Sequence, residues 1–121
     1  MISKIKINNI IRPFNKVCEI EGDKSLSIRW ALIASQATGK SRSLNLLKSE
    51  DVLDTLECLK KLGTKIIFRK NLCEINGNGI NSFDYRKNIT LNSGNSGTLG
   101  RLIMGLLVHS KIKIPKSAQL F

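Results

Sequence analysis

The period of the apolar positions changes several times along the chain, and each change marks an expected element. From Met1 to Ile11, Ile2, Ile5, Ile7 and Ile10 interleave with Lys and Asn, the pattern of a half-buried strand. Pro13 interrupts it, and Val17-Cys18-Glu19-Ile20 resumes extended chain. Gly22 and Asp23 supply a turn. From Ser25 the period becomes helical. Leu26, Trp30, Ile33, Ala34 and Ala37 fall on one face, which predicts an inward stripe with Gly39 as C-terminal cap. Ser43 to Leu47 reads as a short strand. Ser49-Glu50-Asp51 marks a helix start, with acidic side chains at the positive end of the dipole. Val52, Leu53, Leu56 and Leu59 continue it as an apolar stripe, closed by Gly63. Thr64 to Phe68 and Leu72 to Ile75 are two strands around a tight turn at Arg69 to Asn71. Gly77 to Asp84 is loop, and Asn88 to Leu91 is a strand. Gly97 to His109 is a third helix with Leu99, Leu102, Ile103 and Leu106 inward.

The expected order is βαβαββ, followed by the start of the same pattern. A repeat supports it. Gly22-Asp23-Lys24-Ser25 leads to Arg29, and Gly94-Asn95-Ser96-Gly97-Thr98 leads to Arg101, at a constant offset of 72 residues. Each turn is expected to follow a strand and to open a helix. Such a turn suits an anion, because the free N–H groups of the first helical turn and the positive end of the dipole point at it. Two of them suggest a pocket for multiply charged anions.

Composition changes this picture little. At 121 residues, 41% hydrophobic, the chain is long enough for one domain with its own core. The net charge of +11 admits an anionic metabolite or nucleic acid as partner, although the Lys and Arg are scattered. The chain's 6 aromatic residues are not interleaved with Lys or Arg as base-stacking platforms would be, so a basic nucleic-acid-binding module is the weaker alternative. Cys18, Cys58 and Cys73 have no metal-ligand spacing, and reduced thiols in a cytoplasmic compartment are expected. No apolar run reaches the roughly 20 residues of a membrane span.

The candidate binding groups lie in the two turns. Lys24 offers an ammonium. Ser25 and Arg29, four residues apart, share a helix face and add a hydroxyl and a guanidinium fork that can grip two oxygens of a phosphate or carboxylate. Each also has an ordinary reading, Ser25 as a cap and Arg29 as a solvated helix residue. In the second turn Asn95, Gly97 and Thr98 stand out, Gly97 because it lets backbone approach a ligand closely. The spacing is not that of a Walker loop. Glu50 and Asp51 suit a helix start better than acid–base chemistry, and His109 stands alone.

Gly22-Asp23-Lys24-Ser25-Leu26-Ser27-Ile28-Arg29 resembles the substrate-binding turn of the 5-enolpyruvylshikimate-3-phosphate synthases. Leu47-Lys48-Ser49-Glu50-Asp51-Val52 with Thr55-Leu56, Leu62-Gly63 and Asn76-Gly77 is similar to the segments that follow there. Gly94-Asn95-Ser96-Gly97-Thr98 with Arg101 resembles the family's phosphoenolpyruvate-binding turn. The similarity runs from about residue 3 to residue 108. The sister family, the UDP-N-acetylglucosamine enolpyruvyl transferases, usually has Lys-Asn where this chain has Lys24-Ser25, and is the weaker match.

The resemblance implies an α/β fold, an incomplete part of the inside-out α/β barrel that three βαβαββ units build. Residues 1–21 would form an opening strand segment, and residues 22–121 a partial domain with one unit and the start of a second. It also implies a transferase of the shikimate pathway, which moves the enolpyruvyl group of phosphoenolpyruvate to shikimate 3-phosphate. Lys24 would contact phosphoenolpyruvate and could also reach shikimate 3-phosphate, Ser25 and Arg29 would bind shikimate 3-phosphate, and Gly97 would approach phosphoenolpyruvate, with Asn95 and Thr98 shaping the turn. No cofactor or metal is implied.

The chain also departs from the family pattern. Family members are several times longer, and their acid–base carboxylates lie in later sequence. After Val108 comes Lys111-Ile-Lys-Ile-Pro-Lys116, then Ser117-Ala118-Gln119. That triplet resembles a shikimate 3-phosphate-binding motif from much further on, so Ser117 and Gln119 join the candidates. A chain of this kind is expected to lack full catalysis alone. It would then self-associate, work with a complementary chain, or remain as a non-catalytic anion-binding remnant.

Overall fold

A computed structural model of the chain describes residues 6, 12–13, 15–17, 20–84 and 89–108. Six elements follow one another: α1 (Lys24–Gln36), β1 (Thr38–Leu44), α2 (Glu50–Lys61), β2 (Lys65–Arg69), β3 (Leu72–Asn78) and α3 (Gly97–Leu107). The strands form one sheet in the order β1-β3-β2, with β3 antiparallel to both neighbours. Lys70, at φ 49, turns the β2–β3 hairpin where the sequence places a tight turn.

The helices cover one face of the sheet. Cys73 and Ile75 of β3 point into them and are fully buried, while Ile66 and Phe68 of β2 pack from the side. The core is completed by Ile28, Ala31 and Leu32 of α1, by Val52, Leu56 and Leu59 of α2, and by Leu99, Ile103 and Leu107 of α3. The opposite face is mixed: Lys40 and Arg42 of β1, Glu74 of β3 and Lys65 and Arg69 of β2 share it with the exposed Leu44 and Ile67, the latter directly across from Glu74. Strict alternation along β3 produces this division.

Several expectations need correction. The buried face of α1 is Ser27, Ile28, Ala31, Leu32, Ala34 and Ser35; Leu26 and Ile33 stand 67% and 70% exposed, and Trp30 is half-buried. Small residues decide this orientation. Gly77 of β3 lies against the carbonyl oxygens of Ala34 and Ala37, an approach that only a slim helix face allows. Leu53 and Leu102 likewise face outward, on the edges of stripes whose centres are buried.

The first strand of the sheet runs from Thr38, not Ser43, and Gly39 lies inside it at φ 91. Helix α1 ends instead at Ala37, whose N–H donates to the Ala34 carbonyl. Leu46 leaves the sheet to enter the core after Asn45 turns the chain at φ 56. Val17 and Ile20 are exposed and in no strand, and Ile89 to Leu91 are in none either. Their neighbourhood is tied to α2: Lys61 Nζ donates to the Thr90 carbonyl, and the Cys58 thiol to the Asn92 carbonyl. The expected strand from Met1 to Ile11 falls, except for Lys6, outside the described residues, as do Cys18, Asn88 and His109. Within the described residues the order is therefore αβαββα.

Candidate functional site

The first turn is built by close packing. A Cβ on Gly22 would strike the Asn45 carbonyl oxygen, so the turn fits under the β1–α2 connection only with glycine. The Leu47 N–H donates to Ser27 Oγ at 3.2 Å and ties the same connection to α1. Asp23 is the N-cap of α1, and its carboxylate accepts from the Leu26 N–H at 2.7 Å. Lys24 opens the helix, and its Nζ lies 2.9 Å from Asp51 Oδ2, in the first turn of α2. Ser25 is half-buried in the first turn of α1, and Arg29 is exposed one turn later. The pairing of Lys24 with Asp51 crosses 27 residues of sequence, and residue spacing carried no sign of it.

The second turn is built differently. Ser96 is the N-cap of α3, and its Oγ accepts from the Leu99 N–H at 3.2 Å. The Gly94 N–H donates to Asn92 Oδ1 at 2.9 Å, and the Ser96 N–H to the Ser93 carbonyl. Gly94 has φ 54, and its Cα faces the Asp54 carboxylate so closely that a side chain there would overlap it. Asn95 and Gly97 are exposed and Thr98 is half-buried. At Gly97 a Cβ would meet no other atom within 4 Å, so packing does not demand glycine there.

Helix α2 joins the two turns. Asp51 reaches the first, while Asp54 and Cys58 reach the second. Asp51 and Asp54 are separated by about 4.5 Å of rise along the helix, so both turns lie at its N-terminal end. The structure thus brings Lys24 and the Gly94 turn to one helix. Ser117 and Gln119 lie outside the described residues.

Beside the first turn is an open cleft of about 510 Å³, lined by Ile20, Gly22, Asn45, Lys48 and Ser49 among others. Ser49 occupies the N-cap position of α2, but its buried Oγ makes no hydrogen bond. The cleft does not include Lys24, Arg29 or Gly97 in its walls.

The two described thiols, Cys58 and Cys73, are both buried. Burial pushes Cys73 up to about 11, against a weaker pull from Lys60. Burial also raises Cys58, although the Lys61 charge opposes it. Among the described residues no group of His, Cys, Asp and Glu is arranged to hold a metal ion, and no helix is long and apolar enough to cross a membrane. What the arrangement offers is binding: two capped helix starts with cationic and hydroxyl side chains, braced by a third helix.

The chain is similar to known proteins. The family model for EPSP synthase (3-phosphoshikimate 1-carboxyvinyltransferase) matches residues 9–115. A 3-phosphoshikimate 1-carboxyvinyltransferase from Syntrophomonas wolfei is 36% identical over 102 residues, which cover 84% of this chain and 24% of that protein. The Streptococcus pyogenes protein of the same name is 37% identical over 113 residues, covering 93% of this chain and 26% of its own. The solved EPSP synthase from Acinetobacter baumannii superposes with a TM-score of 0.71 at 33% identity, over 77% of this chain and 21% of that one. The chain spans about a quarter of the length of the curated relatives it matches.

Proposed function

The chain belongs to the EPSP synthase (3-phosphoshikimate 1-carboxyvinyltransferase) family, and from that membership we propose that it contributes substrate-binding turns to enolpyruvyl transfer. In this reaction the 5-hydroxyl oxygen of shikimate 3-phosphate loses its proton and bonds to C2 of phosphoenolpyruvate, while C3 takes up a proton and becomes a methyl group. The bond from C2 to the phosphate oxygen then breaks, C3 gives up a proton to restore the double bond, and inorganic phosphate leaves. The reaction belongs to aromatic amino acid biosynthesis, and we assign it to the cytoplasm.

Both substrates are anions and repel each other. The binding problem is to neutralise that charge and hold the two in register. On this reading Lys24 contacts phosphoenolpyruvate, and Ser25 and Arg29 hold shikimate 3-phosphate. Gly97 admits phosphoenolpyruvate against the start of α3, in a turn shaped by Asn95 and Thr98. Ser117 and Gln119 would add a further shikimate 3-phosphate contact. Residues 1–21 act as an opening segment and 22–121 as a partial domain. The exposed Leu26 and Ile33 on α1 suit self-association or a complementary chain.

The observation that carries the reading is the bracing of both turns by α2, since a two-anion site needs two anion holders at a fixed separation.

Calorimetry with shikimate 3-phosphate tests the proposal. Arg29→Ala should weaken binding about 10-fold or more, the scale of a lost charge-assisted hydrogen bond. Equal affinity of the two proteins would remove Arg29 from the site. The purified chain should release no phosphate from phosphoenolpyruvate in the presence of shikimate 3-phosphate, and turnover would overturn its inactivity alone.

A further inference from the structure

Lys24 has four rotatable carbons between its backbone and its charge, and its side chain is 52% exposed. Left alone, its ammonium would sample a wide volume. Asp51 is the more rigid member of the pair. Its side chain is only 19% exposed, and its carbonyl accepts a 2.8 Å hydrogen bond from Thr55 Oγ1, on a fully buried residue. The next residue, Val52, is also fully buried. Asp51 is therefore anchored from below by the core. Three residues on, Asp54 meets Gly94, and Cys58 and Lys61 bond to carbonyls just before it. One helix thus meets the second turn and grips the Lys24 side chain at the head of the first.

We propose that Asp51 is a positioning residue, which holds the Lys24 ammonium in place relative to the Gly94 turn so that the site is set before an anion arrives. The inference rests on the proposed function, in which Lys24 receives an anion. It also carries a distinctive sign. A carboxylate beside an anion site weakens binding through charge alone, so neutralising Asp51 would tighten binding if repulsion were its only effect. A positioning role predicts the opposite. The lysine that loses its partner must be ordered by the ligand, and affinity falls.

The test uses the whole chain with 13C-labelled lysine, assigned with a Lys24→Arg variant, together with calorimetry against phosphoenolpyruvate. Without ligand, the two Hε protons of Lys24 should be distinct in the wild type and merge in Asp51→Asn, with the backbone amide spectrum otherwise preserved. With ligand, Asp51→Asn should bind about fivefold more weakly, the scale of one well-placed ion pair. Asp51→Glu should restore part of the loss, and Asp51→Asn should have no effect in a Lys24→Met background. Unchanged or tighter binding by Asp51→Asn overturns the proposal while leaving the anion site standing. If the wild type binds no phosphoenolpyruvate, the functional reading fails, and the proposal falls with it. The Hε signals then report only whether the pair forms.

Discussion

The Cα of Gly22 lies directly against the backbone carbonyl oxygen of Asn45, with no room for a methyl group between them. The first turn and the β1–α2 connection are therefore in backbone contact. Gly22→Ala must push them apart, and should cost about 1–3 kcal/mol of stability, the usual scale of overpacking. Urea denaturation of the two proteins measures this. An unchanged midpoint would mean that the connection yields freely.

The same connection is held by Ser27, whose Oγ accepts from the Leu47 N–H. Ser27 is only 5% exposed, so the alanine variant leaves that N–H without its partner. Ser27→Ala should cost about 1–3 kcal/mol, and Ser27→Thr should recover part of it, because only the hydroxyl matters for the bond. Amide exchange at Leu47 is the direct readout, and it should quicken in the alanine variant alone.

Ser96 and Gly97 should separate stability from binding. Ser96→Ala removes the cap of α3 and should lower stability by about 1 kcal/mol. Gly97→Ala meets open space, so it should leave stability unchanged or raise it by up to about 1 kcal/mol. The same variant should lose phosphoenolpyruvate binding if Gly97 admits the ligand. Full binding by Gly97→Ala would exclude it from the site.

Cys73 sets an alkaline limit. Its thiol is held up at about 11 against an ordinary value of 9.0. Below the ordinary value both folded and unfolded thiols are protonated, and the contribution is fully present. As pH rises, the unfolded chain loses its proton first, and the stabilisation drains away until the folded thiol also ionises. Denaturation at about pH 8 and about pH 10 should therefore show a fall that Cys73→Ala reduces. An equal fall in both proteins would assign the alkaline loss elsewhere.

Glu74 acts at the other end of the scale. The hydrogen bond from Arg42 holds its carboxyl below the usual range, helped by the charges of Lys40, Arg42 and Arg69. Its contribution is present above the ordinary carboxylate range and is lost as pH falls through the lowered folded value. Glu74→Gln should flatten the acid limb of a stability–pH curve. Arg42→Gln should flatten it partly, since the other cations remain.

Much of this molecule could be read before it was seen, but unevenly. Helix α2 was legible because its start signal and its stripe of Val52, Leu56 and Leu59 agree. The β2–β3 hairpin was legible from two apolar-bearing runs, Ile66 to Phe68 and Leu72 to Ile75, around a short polar turn. Strand β1 was not, because Thr38-Gly39-Lys40-Ser41-Arg42-Ser43 carries no apolar alternation and is recruited by pairing with β3. The inward face of α1 is not legible, because apolar residues are spread around the helix among polar ones, and hydrophobicity ranks Leu26 and Ile33 above the small residues that the sheet requires. At the candidate site the two turns were visible as a repeat. The brace between them was not, because Asp51 and Asp54 also serve as ordinary members of a helix start, and only folding reveals what each one faces.

Helix α2 looks two ways. Its inner side is welded into the core by Val52, Leu56 and Leu59, and its N-terminal edge touches the Lys24 and Gly94 turns, to which anion binding is assigned by proposal. Water exclusion has no direction of its own, yet here it is converted into the alignment of distant charges. Repacking at the fully buried Leu59 would shift both turns together and, on the proposed function, retune the spacing at which two phosphorylated molecules are presented to each other.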